Sequence, residues 1–155
     1  MSKKLGVVMD PIGAINFHKD STLAMLLAAD KRGWELYYME QGDLFLQDGR
    51  CHARLSPLQV RTDEHDWFSL SETVAVPLDE LDVVLMRKDP PVNMEFIYTT
   101  FLLERAEAHG TLVLNRPRAI RNASEKLYTA WFPECCPPTR VSRNIQILKE
   151  FLAEH

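Results

Sequence analysis

The apolar positions along this chain follow two patterns, continuous runs typical of buried strands and the spacing typical of helices. Four apolar runs stand out, at residues 5–9, 34–40, 81–86 and 111–115. Such near-continuous runs are typical of strands that a parallel sheet buries on both faces. Between the first two runs, Leu23, Leu26 and Leu27 recur at helical spacing, and a β-α-β unit of this order places its strands parallel through a right-handed crossover. The pattern predicts an α/β fold with an open, mostly parallel, Rossmann-like sheet flanked by helices.

Capping residues mark the ends of the predicted helices. Asp20 or Ser21 is suited to cap the first helix, which Lys31-Arg32-Gly33 closes. A second helix begins after Asn93 and ends at Gly110. The turn between the first strand and the first helix lacks the closely spaced glycines that let a backbone approach a pyrophosphate, so it does not indicate a dinucleotide site.

Residues 41–76 have a different pattern, typical of antiparallel strands. The segments 44–46 and 51–54 flank Gln47-Asp48-Gly49-Arg50, and Asp-Gly between two β-like runs favours a tight hairpin. Further strand is expected within residues 67–70 and 73–76. We therefore predict an antiparallel hairpin extension at one edge of the sheet.

The last part of the chain predicts two more helices. Asn122-Ala123-Ser124-Glu125 resembles a capping box that opens a helix ended by Pro133. A short strand is expected at residues 139–142, and apolar residues at helical spacing mark a final helix at 145–152. Because no strand returns after this helix, the pattern suggests a piece of a longer protein.

Composition and charge exclude several classes of function. The 155 residues are 46% hydrophobic and 26% charged, with a formal net charge of −4 and scattered basic residues. Nucleic-acid binding would need a clustered basic surface. A membrane span would need about 18 consecutive apolar residues, and a signal peptide would need a long apolar segment near the start. We expect a cytoplasmic domain that binds neither nucleic acid nor membrane.

Cysteines and histidines show no spacing that predicts a metal site or a catalytic set. Cys51, Cys135 and Cys136 are an odd number, and the last two are neighbours that seldom pair. The histidines have unrelated spacings, which supports neither a zinc site nor a Ser-His-Asp arrangement. We interpret all three cysteines as reduced thiols, and we predict no catalytic residue and no metal ligand.

Polar loops follow three of the predicted buried strands, at residues 10–21, 87–91 and 115–118. The carboxyl ends of strands in open α/β sheets are where ligands bind, and the sheet is expected to bring at least two of these loops together. Such a cleft offers two cations to an anion, oxygen-bearing side chains to an amino or amide group, and a helix amino terminus to a carboxylate. The candidates are Arg87 and Lys88 for the anion, and Asp10, Asn16, Asp20 and Ser21 for the amino group.

Each of these residues also has a simpler interpretation. Arg87 and Lys88 are equally explained as surface cations after a strand, and Asp20 as a helix cap. For any one residue alone, that interpretation is the better one. The prediction of a site depends on the convergence of the loops.

The order and spacing of these segments resemble the amino-terminal part of the bacterial-type glutathione synthetases. The resemblance is strongest in Leu85-Met86-Arg87-Lys88-Asp89-Pro90-Pro91 and in the segment from Asn122 through Lys126 to Phe132. Further matching segments lie at residues 5–12, 19–21, 38–40, 95–98 and 103–106. Together they extend over essentially the whole chain, which makes the family signal far stronger than any single short motif.

The resemblance implies part of an ATP-grasp ligase that joins γ-glutamylcysteine to glycine, using ATP and Mg²⁺ through an acyl phosphate. In that family the glycine-rich phosphate loop and the acidic metal ligands lie beyond the last residue of this chain. The resemblance therefore implies a pre-ATP-grasp, substrate-side domain at residues 1–121, followed by the start of the ATP-grasp region at 122–155. We expect this chain to be inactive alone and the full-length protein to be a homo-oligomer.

The resemblance also implies roles for individual residues. Lys126 matches a lysine that reaches the nucleotide phosphates in the family. The wall that faces γ-glutamylcysteine is implied to contain Asp10, Asn16, Asp20, Ser21, Arg87 and Lys88. No residue of this chain is implied to bind the metal.

Two other functions are compatible with the sequence. The first is a stand-alone α/β domain that binds a small anion without an ATP-binding partner. The second is a domain that mainly provides oligomer contacts, through Trp34, Tyr37 and the extension at residues 41–76 if these are exposed.

Overall fold

The computed structural model describes residues 2–124 and 126–155. It divides into two compact units, Met1–Ala119 and Ile120–His155. The boundary expected after residue 121 stays a prediction. Glu125, the last residue of the expected capping box, lies outside the described residues.

The first unit contains a mixed sheet and two long helices. Its strands are β1 (Lys4–Val8), β2 (Glu35–Met39), β3 (Leu44–Gln47), β4 (Arg50–Val60), β5 (Phe68–Leu70), β6 (Val74–Pro77), β7 (Val83–Met86) and β8 (Leu112–Leu114). The helices are α1 (Ser21–Asp30) and α2 (Met94–Ala108). Each begins after the expected cap: Asp20 accepts a hydrogen bond from the N–H of Leu23, and Asn93 accepts one from the N–H of Phe96.

Sheet order confirms the predicted fold class. The central path runs β3-β4-β2-β1-β7-β8, and β5 and β6 also pair with β4. Strand β1 is parallel to both β2 and β7, and β7 is parallel to β8. Every pairing of β4 is antiparallel. The molecule therefore combines a parallel α/β core with an antiparallel extension on the β2 side.

The hairpin predicted at Asp48-Gly49 joins β3 to β4. Asp48 has a φ of 49° and Gly49 a φ of 77°, which are the positive values that a two-residue type I′ turn requires. Its flanking residues pair in register, Gln47 with Arg50 and Leu46 with Cys51. The hairpin prediction is confirmed.

Successive side chains of each strand point to opposite faces of the sheet. Leu5, Val7 and Met9 of β1 and its extension pack in one cluster with α1, and Val83 and Leu85 of β7 pack against that cluster. The intervening Gly6 faces the other way, since a Cβ on it would lie 2.7 Å from both Leu81 Cδ1 and Met39 Cε. The right-handed crossover from β7 to β8 places α2 on this second face, where α2 contacts β3, β4 and β8.

The second unit is built of short helical pieces and differs from the sequence prediction at its start. A short helix, α3 (Pro117–Asn122), spans the division between the units, and 3-10 turns follow at Tyr128–Trp131 and Pro133–Cys135. Asn122 therefore ends a helix where it was expected to open one. Proline is favoured in the first turn of a helix, so Pro117 starts α3 earlier than the predicted cap.

Two other expectations for this unit have different outcomes. The final amphipathic helix is confirmed as α4 (Ile145–Glu154), and Asn144 caps it by accepting from the N–H of Gln146. Residues 139–142 were predicted as a strand, but they form irregular chain. A strand needs a partner for its backbone groups, and this segment pairs with no strand of the described residues.

Candidate functional site

Adjacent parallel strands of the first unit end at a topological switch point. The chain leaves β1 through α1 toward β2, and it leaves β7 through α2 toward β8, on the other side of β1. The two helices therefore pack on opposite faces of the sheet, and a crevice remains at its carboxyl edge, where the loops after β1 and β7 meet. Open α/β folds bind ligands in such a crevice.

Arg87 continues the extended chain of β7 and faces α1. Its backbone N–H donates to the carbonyl of Val8 over 2.7 Å. The guanidinium donates to the hydroxyl of Ser21 over 2.9 Å and to the hydroxyl of Thr22 over 3.1 Å. Thr22 is only 3% exposed. Arg87 is thus fixed against the first turn of α1 instead of extending freely into solvent.

Lys88 is the next residue, so it faces the opposite side of the sheet from Arg87. Its Nζ lies 2.8 Å from Oδ1 of Asp10, and the N–H of Asp89 donates to Oδ2 of Asp10 over 2.9 Å. Partial burial by itself would raise the pKa of Asp10, but the hydrogen bonds from Lys88 and Asp89 outweigh it and hold the pKa below its ordinary value. Asp10 is therefore an ionised group that ties the β1 loop to the β7 loop.

The loop between Asp10 and α1 is ordered by its own hydrogen bonds. The carbonyl of Asn16 accepts from the N–H groups of Lys19 and Asp20, and the Asn16 side chain accepts from the N–H of His18 over 3.0 Å. Asn and Asp side chains commonly form such local turns. Asp20 then caps α1 through Leu23.

A concavity of about 490 Å³ opens on the α1 side of the Asp10–Lys88 pair. Asp10, Asn16, Asp20 and Asp89 line it, together with Lys19. The lining offers carboxylate and amide oxygens, which suit an amino or amide group of a ligand. We call this concavity the α1-side cavity.

A second concavity, of about 460 Å³, opens on the α2 side of the same pair. Asp10 and Lys88 line it together with Glu40, Gln41 and Glu95. Because Asp10 borders both concavities, a ligand at the switch point has space on either side of this carboxylate. We call this concavity the α2-side cavity.

Tyr38 fixes the residues on the β2 side of the α2-side cavity. Its hydroxyl donates to Oε1 of Glu40 over 2.6 Å and accepts from the N–H of Ile12 over 3.3 Å. Burial raises the pKa of Tyr38 above its ordinary value, and the Glu40 carboxylate raises it further. Tyr38 therefore remains protonated near neutral pH and connects the loop after β2 to the loop after β1.

The structure brings the six predicted cleft residues to one edge of the sheet. Asp10, Asn16, Asp20 and Lys88 line one or both cavities, whereas Ser21 and Arg87 line neither and bond each other. Lys126 belongs to the second unit, where its side chain is exposed. The third predicted polar loop, at residues 115–118, contains Arg116, which forms an ion pair with Glu107 of α2 over 3.2 Å. The binding roles of the six residues and of Lys126 stay predictions.

Four residues of the site were missed by the sequence analysis: Thr22, Glu40, Gln41 and Glu95. Glu40 and Gln41 come directly after β2, so the rule that polar loops after parallel strands form sites applies to them as well. Thr22 sits within a helix pattern, and its contact with Arg87 has no signal in the sequence.

Neither metal clusters nor membrane spans occur in the described residues. The described ranges contain no group of three or more His, Cys, Asp or Glu placed to hold a metal ion. Within the same ranges, no helix is long and apolar enough to cross a membrane. The three cysteines are free thiols, of which Cys51 is buried.

Comparisons with known proteins agree on one family. The family described as "Prokaryotic glutathione synthetase, N-terminal domain" matches residues 3–121. The glutathione synthetase of Pseudomonas putida is 56% identical over 155 residues, which are all of this chain and 49% of the relative. The glutathione synthetases of Yersinia pestis and Escherichia coli K12 are 55% and 53% identical over 152 residues, which are 98% of this chain and 48% of each relative. The chain thus spans about half the length of the curated relatives it matches.

Proposed function

The chain belongs to the prokaryotic glutathione synthetase N-terminal domain family, and from that premise we propose that it forms the substrate-side wall of a glutathione synthetase. The reaction proposed for the whole enzyme joins γ-glutamylcysteine to glycine. ATP supplies a phosphoryl group that activates the cysteinyl carboxylate, and the glycine amine then displaces phosphate to form the peptide bond. The proposed partners of the full-length protein are accordingly γ-glutamylcysteine, glycine, ATP and Mg²⁺.

The observation that carries this proposal is the paired arrangement of Asp10 with Lys88 and of Arg87 with Ser21 at the switch point. Both cations are held by neighbouring groups before any ligand arrives. Preorganised charges bind and orient a ligand without the entropy cost of ordering long side chains. Arg87 and Lys88 are proposed to attract carboxylates of the dipeptide, while Asp10, Asn16, Asp20 and Ser21 accept from or donate to its amino and amide groups.

Phosphoryl transfer is not assigned to the residues described here. The described ranges contain no group of three or more His, Cys, Asp or Glu that could hold a metal ion, so we derive no step through Mg²⁺ from this chain. Lys126 is exposed, and an exposed ammonium suits a nucleotide phosphate. We propose that Lys126 contacts a nucleotide phosphate in the full-length enzyme. We also propose that the 155-residue chain is inactive by itself.

Two further proposals concern the full-length protein. We propose that it acts in the cytoplasm, which agrees with the expectation from sequence. We also propose that it is a homo-oligomer. Sedimentation of the full-length protein would test the second proposal, and a monomer at all concentrations would contradict it.

A hybrid protein tests the proposed role of this chain. The chain would be joined to the C-terminal part of the Escherichia coli relative that the match does not cover, the matched part being 53% identical over 152 residues. We expect ATP-dependent formation of glutathione from γ-glutamylcysteine and glycine by the hybrid, and none by the 155-residue chain. A folded hybrid that binds ATP but makes no glutathione would overturn the proposal.

Two variants of the hybrid test whether Arg87 contributes to substrate binding. Arg87→Ala removes the cation held by Ser21 and Thr22, and we expect the KM for γ-glutamylcysteine to rise about tenfold, the effect of losing one charge-assisted hydrogen bond. Lys31→Ala is the matched control, because Lys31 is an exposed cation at the opposite end of α1. Equal KM values in the two variants would count against the role of Arg87.

A further inference from the structure

The turn that joins β4 to β5, residues 61–67, lies against residues 11–19 of the loop between β1 and α1. The ring centroids of Phe17 in the loop and Trp67 in the turn are 6.2 Å apart, and those of Trp67 and Phe68 are 4.5 Å apart. Aromatic pairs at such distances attract each other. All three rings are partly buried and pack against the hydrophobic core that includes α1. The antiparallel extension thus supplies an aromatic surface that supports the loop.

Two further contacts join the turn to the loop. A Cβ built on Gly13 would lie 3.7 Å from Cζ of Phe68, so this ring lies close to the backbone of the loop. Nε2 of His18 lies 2.9 Å from Oε1 of Glu64, but both side chains are more than half exposed. Exposed polar pairs of this kind stabilise a structure little. The aromatic contacts therefore hold the loop more strongly than the polar one.

Arg61 fixes the shape of the turn that carries Trp67. The backbone N–H of Arg61 donates to the carbonyl of Trp67 over 2.7 Å. Its guanidinium donates to the hydroxyl of Ser69 over 2.9 Å and to the carbonyl of Asp66 over 3.4 Å. Because these bonds close the turn on itself, Trp67 is fixed relative to β4 independently of the loop that it supports.

Consecutive residues of the loop have different surroundings. Asn16 lines the α1-side cavity, whereas Phe17 packs against Trp67. The carbonyl of Asn16 also accepts from the N–H groups of Lys19 and Asp20, so the position of Asn16 determines how the chain enters α1. Because Asn16 and Phe17 are adjacent, a loss of the aromatic support would displace Asn16 in the cavity lining.

We propose that Trp67 is a positioning residue for the substrate, which holds Asn16 at the wall of the α1-side cavity through Phe17. This inference rests on the proposed function, in which Asn16 bonds a polar group of γ-glutamylcysteine. Preorganised polar groups bind a ligand without the cost of ordering a loop. Trp67 itself lines neither cavity, so its effect on binding is transmitted through the loop.

Amide hydrogen exchange of the 155-residue chain tests the positioning step without any ligand. Trp67→Ala is expected to speed exchange at the N–H groups of Lys19 and Asp20, which bond Asn16, by at least about tenfold relative to exchange in β1. Exchange in β1 reports global unfolding, so the ratio does not depend on a general loss of stability. Trp67→Phe keeps a ring and is expected to restore slow exchange. An unchanged ratio in Trp67→Ala would overturn the inference.

Kinetics of the hybrid protein test the consequence for substrate binding. Trp67→Ala is expected to raise the KM for γ-glutamylcysteine about tenfold and to leave the KM values for ATP and glycine within about twofold. A smaller folded fraction alone would lower the apparent kcat and leave every KM unchanged. The selective rise therefore separates positioning from lost stability, and Trp67→Phe should return the KM to near its original value.

Trp34→Ala is the matched control for Trp67→Ala. Trp34 is also partly buried and packs against the same hydrophobic core, but it lines a concavity at the amino edge of the sheet. We expect this variant to lose stability and to keep the KM for γ-glutamylcysteine within about twofold. Glu64→Gln, which alters only the exposed contact with His18, should raise that KM by less than about threefold. Equal KM values in Trp67→Ala and Trp34→Ala would overturn the inference.

The outcomes distinguish this inference from the proposed function. An unaltered hybrid that folds and binds ATP but makes no glutathione would overturn the proposed function, and with it the role of Trp67 in substrate binding. An active hybrid in which Trp67→Ala leaves the KM for γ-glutamylcysteine unchanged would overturn the inference alone.

Discussion

The ammonium of Lys88 lies 2.8 Å from one carboxylate oxygen of Asp10, while the N–H of Asp89 donates to the other oxygen over 2.9 Å. Both donors come from the loop after β7, and the acceptor comes from the loop after β1. One carboxylate therefore links the loop after β1 to the loop after β7, and its hydrogen bonds are strongest when it is ionised.

Replacing Asp10 by Asn should lower stability in a pH-dependent way. Because the folded pKa of Asp10 is below its ordinary value, its contribution is present above that ordinary value and is lost as the pH falls through the folded pKa. We expect Asp10→Asn to cost about 1 kcal/mol of unfolding free energy at pH 7, a modest amount because the pair is partly exposed. Urea unfolding at pH 7 and at pH 3 would measure it.

The control for this prediction is Asp89→Asn. This variant removes a neighbouring carboxylate but keeps the backbone N–H that donates to Asp10. We expect the two variants to differ at pH 7, and the difference between Asp10→Asn and the unaltered chain to shrink toward pH 3. A difference that stays constant over this range would show that ionisation of Asp10 is not the cause.

Removing the Tyr38 hydroxyl should destabilise the loops that it joins. Tyr38→Phe leaves the N–H of Ile12 and one oxygen of Glu40 without their partner, and we expect a loss of about 1–2 kcal/mol. The hydroxyl of the neighbouring Tyr37 donates to Glu35 in an exposed hydrogen bond, so Tyr37→Phe should change stability by less than about 0.5 kcal/mol. Thermal or urea unfolding of both variants would check this, and equal losses would contradict it.

Gly6 should not accept a methyl group without cost. A Cβ there would lie 2.7 Å from both Leu81 Cδ1 and Met39 Cε, whereas a Cβ on Gly42 has no atom within 4 Å. We expect Gly6→Ala to lower the unfolding free energy by about 1–3 kcal/mol through overpacking, and Gly42→Ala to be neutral or slightly stabilising. Chemical denaturation would rank the two. A neutral Gly6→Ala would mean that the Met39 and Leu81 side chains move aside freely.

The three thiols should differ in reactivity. Cys51 is 1% exposed, and burial raises its pKa to about 12, so almost none of it is thiolate at pH 8. Cys135 is exposed, and Cys136 is partly exposed. We expect a thiol reagent to label Cys135 first, then Cys136, and to reach Cys51 only when the first unit unfolds. Peptide mapping by mass spectrometry would follow the order, and early labelling of Cys51 would contradict it.

Much of the first unit was predictable because its local signals agree with the fold. The Asp48-Gly49 turn, the caps at Asp20 and Asn93, and the apolar strands each appear where the sequence placed them. These features depend on short segments whose conformation is decided by neighbouring residues. The convergence of loops after β1 and β7 also follows from strand order, once the crossovers are taken as right-handed.

The remaining features depend on contacts that no local pattern contains. The sequence pattern did not distinguish Thr22 from a core residue of α1. Its hydrogen bond from Arg87 forms because β7 lies beside β1. Around Asn122 the local signal was misleading, because a proline five residues earlier starts a helix that the cap pattern then ends.

Arg87 and Lys88 face opposite sides of the sheet because they are consecutive residues of an extended chain. An insertion of one residue anywhere in β7 would shift every following side chain to the other face. Arg87 would then replace Lys88 beside Asp10, and the hydroxyls of Ser21 and Thr22 would lose their cation. The segment from Val83 to Asp89 should therefore tolerate a conservative exchange of one residue more readily than an insertion or a deletion.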